Sequence, residues 1–183
     1  MSYESTVQHT AVPGTPHHAL GGPLLTGVAA TLVAIVVARA AVGPRSGSVR
    51  PRSLAVGVGV AYGVGLLFLW AVVRLLFWRI DPDPRSSPFF AAVVVGGTGL
   101  ALTVQGGVPT YLHAKRGLWT PLAWLIGSSW LCVYAFLRVG GESGAFFLLL
   151  VWTVGIVPPA FLVLGVCLGF EAGYRRLRDN DGR

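Results

Sequence analysis

Five long apolar runs separated by short polar segments dominate this chain, at residues 24–42, 54–80, 89–113, 119–139 and 145–170. At 1.5 Å per residue, the shortest run of about 19 residues gives roughly 28 Å of helix, close to the ~30 Å hydrocarbon core of a bilayer. The intervening segments are rich in the Pro, Gly, Asp and Ser that favour turns. The pattern therefore predicts an all-α integral membrane protein, folded as a bundle of five transmembrane helices.

The third run carries a row of small and polar residues that no other run has. They recur every three or four positions and so share one face of a helix, namely Gly96, Gly99, Thr103, Gly106, Thr110 and His113. A face with so little side-chain bulk lets another helix approach the backbone closely, which is how helices associate in lipid. We expect this span to be central and to touch at least two other helices through the stripe. Gly165 and Gly169 predict a second packing face of the same kind in the fifth run.

Prolines interrupt two of the runs. Pro109, next to Gly106-Gly107, is expected to weaken or kink the third span near its end, because proline removes a backbone donor. Pro158-Pro159 is expected to break the fifth span at its middle and to free the carbonyls around Val154 and Gly155. Thr153 or a neighbouring helix would then satisfy those carbonyls.

The overall composition supports a membrane protein and argues against a nucleic-acid partner. With 54% hydrophobic residues, 11% charged residues and a mean hydropathy of +0.68, the chain is too apolar for a soluble globule. The net charge of +7 comes from basic residues that cluster between the apolar runs and not from a binding stripe. The strong preference for Arg over Lys, with many Ala, Val and Gly, indicates a GC-rich prokaryotic genome.

The basic residues also predict how the chain is threaded. Ten of the 14 Lys and Arg residues fall in the first loop, the third loop and the C-terminal segment, or beside them, and these parts are therefore expected in the cytoplasm. On this scheme residues 1–23 form a disordered extracytoplasmic tail and residues 171–183 a basic cytoplasmic tail, and the protein lies in the cell membrane. Arg74, near the outer end of its span, is expected to extend its side chain to the headgroups.

No set of residues with recognisable catalytic or ligand spacing occurs in the chain. It has no H-E-x-x-H helix, no Gly-x-Ser-x-Gly elbow, no phosphate-binding loop and no paired carboxylates inside a span. Since His113 is the only His beyond the N-terminal tail, a haem held by two histidines on facing helices is also excluded. We expect no enzyme activity, no cofactor and no metal.

One polar layer within the membrane is predicted by counting residues inward from the link between the third and fourth spans. Its members fall at nearly one depth and are Thr103, Gln105, Ser128 and Ser129. Gln105 is expected to point into the bundle and to find a hydroxyl or a freed carbonyl, because its amide is costly to leave unpaired in hydrocarbon. Its position on the helix predicts a different neighbour from the one that the glycine stripe meets.

Two functions agree with such a layer. As interhelical glue it fits an accessory or interaction protein, whose partners are the lipid bilayer and another membrane protein or a second copy of itself. The alternative is a carrier or channel in which Thr103, Gln105, Ser128 and Ser129 line a narrow path for a small solute or an ion.

Overall fold

A computed structural model describes residues 17–42, 50–77, 87–139 and 145–181, and nearly all of them are helical. The first four helices are α1 (Pro23–Val42), α2 (Pro51–Phe77), α3 (Pro88–Arg116) and α4 (Thr120–Phe136). The fifth span consists of α5 (Ala145–Leu150), a π-helical segment (Val151–Ile156) and α6 (Val157–Asp181). One short antiparallel pair joins His17–His18 to Arg138–Val139.

The helices have the length and composition of a multi-pass membrane protein. Within the described residues, four stretches are long and apolar enough to cross a membrane, Pro23–Val42, Pro51–Leu76, Pro88–Arg116 and Phe147–Arg178. The helix Thr120–Phe136 is apolar but shorter, and its 17 residues span about 25 Å. The prediction of an all-helical membrane bundle is confirmed at this level.

Several helix ends differ from the predicted spans. α3 continues past residue 113 to Arg116, and α6 continues past residue 170 to Asp181, where Glu171 and Arg175 form an i,i+4 ion pair of 2.7 Å. α4 stops at Phe136 because the chain turns there to pair with His17–His18, and Ala19 donates to the carbonyl of Leu137. Residues 1–16, 78–80 and 182–183 of the predicted tails and second span lie outside the described residues.

The chain stays helical at both proline sites, Pro109 and Pro158-Pro159. α3 runs through Pro109 as one helix. In the fifth span a π-helical segment stands where the break was expected, and it ends at Ile156, two residues before Pro158. The Val157 N–H donates to the carbonyl of Trp152, five residues back. A π turn thus contains one residue more than an α-helical turn, and the helix continues through it without interruption.

The most extensive helix contact in the described structure joins α2 to α3. A Cβ at Gly59 would lie 2.6 Å from the Thr103 carbonyl oxygen, and one at Gly63 would lie 2.5 Å from Thr103 Oγ1. Glycine is therefore required at both positions by the closeness of the two backbones.

α1 packs mainly against α4 and makes less contact with α2. Its buried positions are small and lie on one face, at Thr26, Ala30, Ala34 and Ala41. Trp130 of α4 donates from Nε1 to Thr31 Oγ1 at 3.2 Å. The fifth span packs against α3 and α4 and completes the bundle.

Successive spans run in opposite directions, and we name the two ends of the bundle after a residue at each, the Arg138 end and the Glu171 end. At the Glu171 end the carboxylate of Glu171 accepts from the backbone N–H groups of Trp119 (3.1 Å) and Thr120 (3.0 Å). These donors belong to the start of α4, so a side chain of α6 caps another helix. Arg175 binds the same carboxylate and the carbonyl of Gly117, which fastens the α3–α4 link to α6.

Arg74 does not extend outward, contrary to the expectation from its position near the end of its span. Arg74 is only 5% exposed, and its Nε atom has no hydrogen-bond partner among the described residues. It lies one turn after Trp70, which is also buried, so the stem of Arg74 packs into the bundle near the Arg138 end.

Candidate functional site

A hydrogen-bonded row of side chains crosses the middle of the bundle. Gln105 of α3 is 3% exposed and stands at its centre. Its Oε1 accepts from the indole N–H of Trp152 at 3.1 Å, and its Nε2 donates to the hydroxyl of Tyr62 at 3.2 Å. Because an indole N–H can only donate, the Trp152 bond fixes which end of the amide carries the oxygen. We call Tyr62, Gln105 and Trp152 the polar row.

Two serines of α4, Ser128 and Ser129, lie near Tyr62. Ser129 is fully buried. Both serines donate to the carbonyl of Leu125, at 3.3 Å and 2.5 Å. Each serine hydroxyl proton therefore has an acceptor within its own helix.

The π-helical segment brings Trp152 into this row. Trp152 is 1% exposed and packs edge-on against Phe136, with ring centroids 6.0 Å apart. Beside it, Thr153 donates to the carbonyl of Leu149 at 2.8 Å, and its hydroxyl is 2.9 Å from that of Thr98 in α3. Thr98 is fully buried, so this pair holds the wide turn against α3. π turns of this kind are frequent at functional sites.

A cavity of about 250 Å³ lies beside the polar row, between α4 and the fifth span. Gln105, Ser128 and Trp152 reach its wall, but most of its lining is apolar. The polar atoms of these three side chains are already bonded within the protein. The cavity therefore offers an apolar surface next to a polar row that is internally satisfied.

The four residues of the predicted polar layer separate into two groups. Gln105 bonds the Tyr62 hydroxyl, and Ser128 and Ser129 lie near Tyr62. Thr103 instead bonds the carbonyl of Gly99 at 2.8 Å and lies against Gly63 of α2. The structure therefore does not place Thr103 with the other three.

The glycine stripe of α3 also divides. A Cβ at Gly106 would lie 2.9 Å from the Tyr62 ring, and one at Gly99 would lie 2.9 Å from Leu67, so both face α2. At Gly96, and at Gly165 and Gly169 of α6, no described atom outside the local chain lies within 4 Å of such a Cβ. α3 does contact α1, α2, α4 and the fifth span, and Gly99, Thr103 and Gly106 each meet α2. Gln105 also contacts α2, through Tyr62. It contacts the fifth span as well, through Trp152, and this is the separate neighbour that its position predicts.

Sequence reasoning missed Tyr62 and Trp152, the two partners of Gln105. A signal for both was present, since a phenol or an indole in the middle of an apolar span carries a polar group that needs a partner. Counting residues inward from the link between the third and fourth spans could not find them, because Tyr62 lies in the second span and Trp152 in the fifth. Among the described residues, no group of three His, Cys, Asp or Glu side chains is arranged to hold a metal ion.

Comparison with known proteins found no matching family model, no matching curated protein and no matching solved structure.

Proposed function

We propose that this multi-pass membrane protein is a non-enzymatic accessory or interaction protein of the cell membrane, and that its polar row holds the bundle together. In the orientation we propose, the N-terminus is outside and the Glu171 end faces the cytoplasm, where Arg39, Lys115, Arg116 and the Arg residues of α6 would meet the anionic leaflet.

The observation that supports this role is the closure of the polar row. Both polar atoms of the Gln105 side chain are bonded to other side chains of the protein. A path for a solute needs polar groups that exchange partners with the solute. Side chains that bond one another across three spans act as interhelical glue.

The alternative of a carrier or channel is less well supported. It requires Thr103, Gln105, Ser128 and Ser129 to line one path. Thr103 is directed to Gly63 of α2, on the other side of α3 from the cavity. The cavity itself is mostly apolar, which does not suit an ion or a small polar solute.

The interaction role needs a surface for a partner, and α2 offers one. Gly57, Ala61 and Gly65 are exposed and spaced four residues apart. Ala61 and Gly65 line a groove of about 410 Å³ between α1 and α2, with Val33 and Val37 on its other side. A row of small residues beside a groove suits close packing of another transmembrane helix, from a second copy or from another membrane protein.

The variant Gln105→Leu distinguishes a role of the polar row in holding the helices together from a role in lining a path for a solute. We expect wild-type protein in vesicles to pass protons and potassium ions no faster than empty vesicles do. Gln105→Leu should lower the free energy of unfolding by about 0.6 to 2 kcal/mol, the range for polar contacts between helices in membranes. Val104→Leu, on the lipid-exposed side of the same turn, is the control. Flux in the wild type that is lost in a stably folded Gln105→Leu would instead establish the path.

A further inference from the structure

The cavity beside the polar row has the shape of a slot between two helices. Its α4 wall extends from Ala123 to Leu131, and its fifth-span wall extends from Trp152 to Phe161. Eight or nine residues of helix correspond to about 12 to 13 Å. The cavity is therefore elongated along the helices.

The volume and length together define its width. About 250 Å³ over roughly 12 Å gives a mean cross-section of about 20 Å². Apolar groups in contact lie about 4 to 4.5 Å apart, so one hydrocarbon chain also occupies roughly 20 Å². A cavity of ~150 Å³ already holds a benzene ring in a soluble protein, and this cavity has room for a longer apolar group.

The wall of the slot selects for hydrocarbon. Trp124, Trp152 and Phe161 supply aromatic rings, and the indole nitrogen of Trp124 is covered, with no hydrogen-bond partner among the described residues. Trp152, Gln105 and Ser128 use their polar atoms within the protein. An apolar cavity of this kind does not hold water, and a group that enters it gains contact area without losing hydrogen bonds.

The slot is reached from the bilayer. Ala123, Gly127 and Leu131 of α4 line it and are exposed on the surface of the bundle. These residues lie within an apolar helix, so the opening faces lipid and not water. Chains that run along the helices are what the bilayer supplies at this opening.

We propose that this slot is a lipid-binding site that takes one hydrocarbon chain of a bilayer lipid, between α4 and the fifth span and in contact with Trp152. The chain lies along the helices, with its side against the polar row. The site is separate from the glue role of Gln105, since it uses the apolar wall and leaves the hydrogen bonds unchanged.

Quenching of Trp152 by a labelled chain tests the site. The full chain is reconstituted in phosphatidylcholine vesicles with or without bromine at the middle of the acyl chains, in a background with the exposed Trp119 and Trp130 replaced by Phe. Trp152 is 1% exposed, so a chain on the outer surface of the bundle does not touch its ring. We expect brominated chains to quench a component of the fluorescence that disappears in Trp152→Phe.

Filling the slot supplies the decisive comparison. Gly127→Leu places a side chain in space where no described atom lies within 4 Å of the added Cβ, and Ala160→Leu fills the slot from the opposite wall. Either variant should abolish the Trp152 component of the quenching. Gly165→Leu, on the same span but outside the slot, should leave it unchanged. Equal Trp152 quenching in folded wild-type, Gly127→Leu and Ala160→Leu proteins would overturn the proposal, and so would its absence in the wild type.

Discussion

The indole N–H of Trp152 donates to the side-chain oxygen of Gln105 across 3.1 Å, and this bond ties the π-helical segment of the fifth span to α3. Both side chains are almost fully buried, at 1% and 3% exposure. The bond joins residues that are 47 positions apart in sequence. It therefore connects the wide turn, the polar row and the wall of the cavity in one arrangement.

Trp152→Phe should weaken the bundle because it keeps most of the ring and leaves Gln105 Oε1 without its donor. A buried acceptor without a partner costs about 1 to 3 kcal/mol, and contacts of this kind in membranes fall at the lower end. The free energy of unfolding in mixed micelles measures the loss. When Trp152→Phe is combined with Gln105→Leu, we expect the loss in the free energy of unfolding to be smaller than the sum of the losses in the two single variants. Additive losses would show that the two side chains do not interact.

Gly59→Ala should destabilise the protein, whereas Gly57→Ala on the same helix should not. A Cβ at Gly59 would lie 2.6 Å from a backbone oxygen of α3, which can move only with the helix. Overpacking of this kind costs about 1 to 3 kcal/mol. At Gly57 no described atom outside the local chain lies within 4 Å of the new Cβ, and alanine favours helix by up to ~1 kcal/mol over glycine. Equal melting temperatures for the two variants would mean that α2 and α3 are not in close contact at Gly59.

Glu171→Ala should loosen the start of α4. The carboxylate caps the N–H groups of Trp119 and Thr120, and loss of a cap costs about 0.5 to 2 kcal/mol. We expect faster hydrogen exchange at the Thr120 amide, with Glu171→Gln intermediate because its amide oxygen still accepts. Arg176→Ala, on the next turn of α6, serves as the control. Unchanged protection at Thr120 in Glu171→Ala would argue that water or another group supplies the cap.

The proposed threading predicts opposite reporter results at the two termini. A reporter active only in the cytoplasm should be active when fused after Arg183 and inactive when fused before Met1. The reason is the excess of ten basic residues over four on the side of the C-terminus. The reverse pattern would invert the scheme, and equal activity at both ends would point to dual insertion.

Ala61→Cys should form cross-links across the groove of α2 if another helix packs there. In a background with the exposed Cys167 replaced by Ser, we expect a short thiol cross-linker in native membranes to give a defined adduct from Ala61→Cys, a homodimer if the partner is a second copy. Leu162→Cys, on the strongly exposed face of α6, is the matched control. Adducts of the same yield from both positions would indicate random collision in the membrane.

The sequence by itself determined the class of the fold, because burial in lipid acts on each span separately. A run such as residues 89–113 must satisfy its backbone within itself, so length and hydropathy predict a helix without knowledge of its neighbours. Gln105 could be placed inside the bundle for the same reason, since an unpaired amide is costly anywhere in hydrocarbon.

The tertiary structure alone decided which partners those residues meet. The packing of helices in lipid depends on shape, and the stripes of Gly96 and of Gly165 and Gly169 look the same in sequence as the stripe of Gly59 and Gly63 that α3 covers. Pro158-Pro159 predicts a disturbance in the fifth span, but not the π turn, whose Trp152 bonds Gln105 and whose Thr153 contacts Thr98 of another helix. The slot beside them is bounded by residues of α4 and the fifth span that no local pattern connects. The same two helices are joined at the Glu171 end, where a side chain of α6 caps the start of α4.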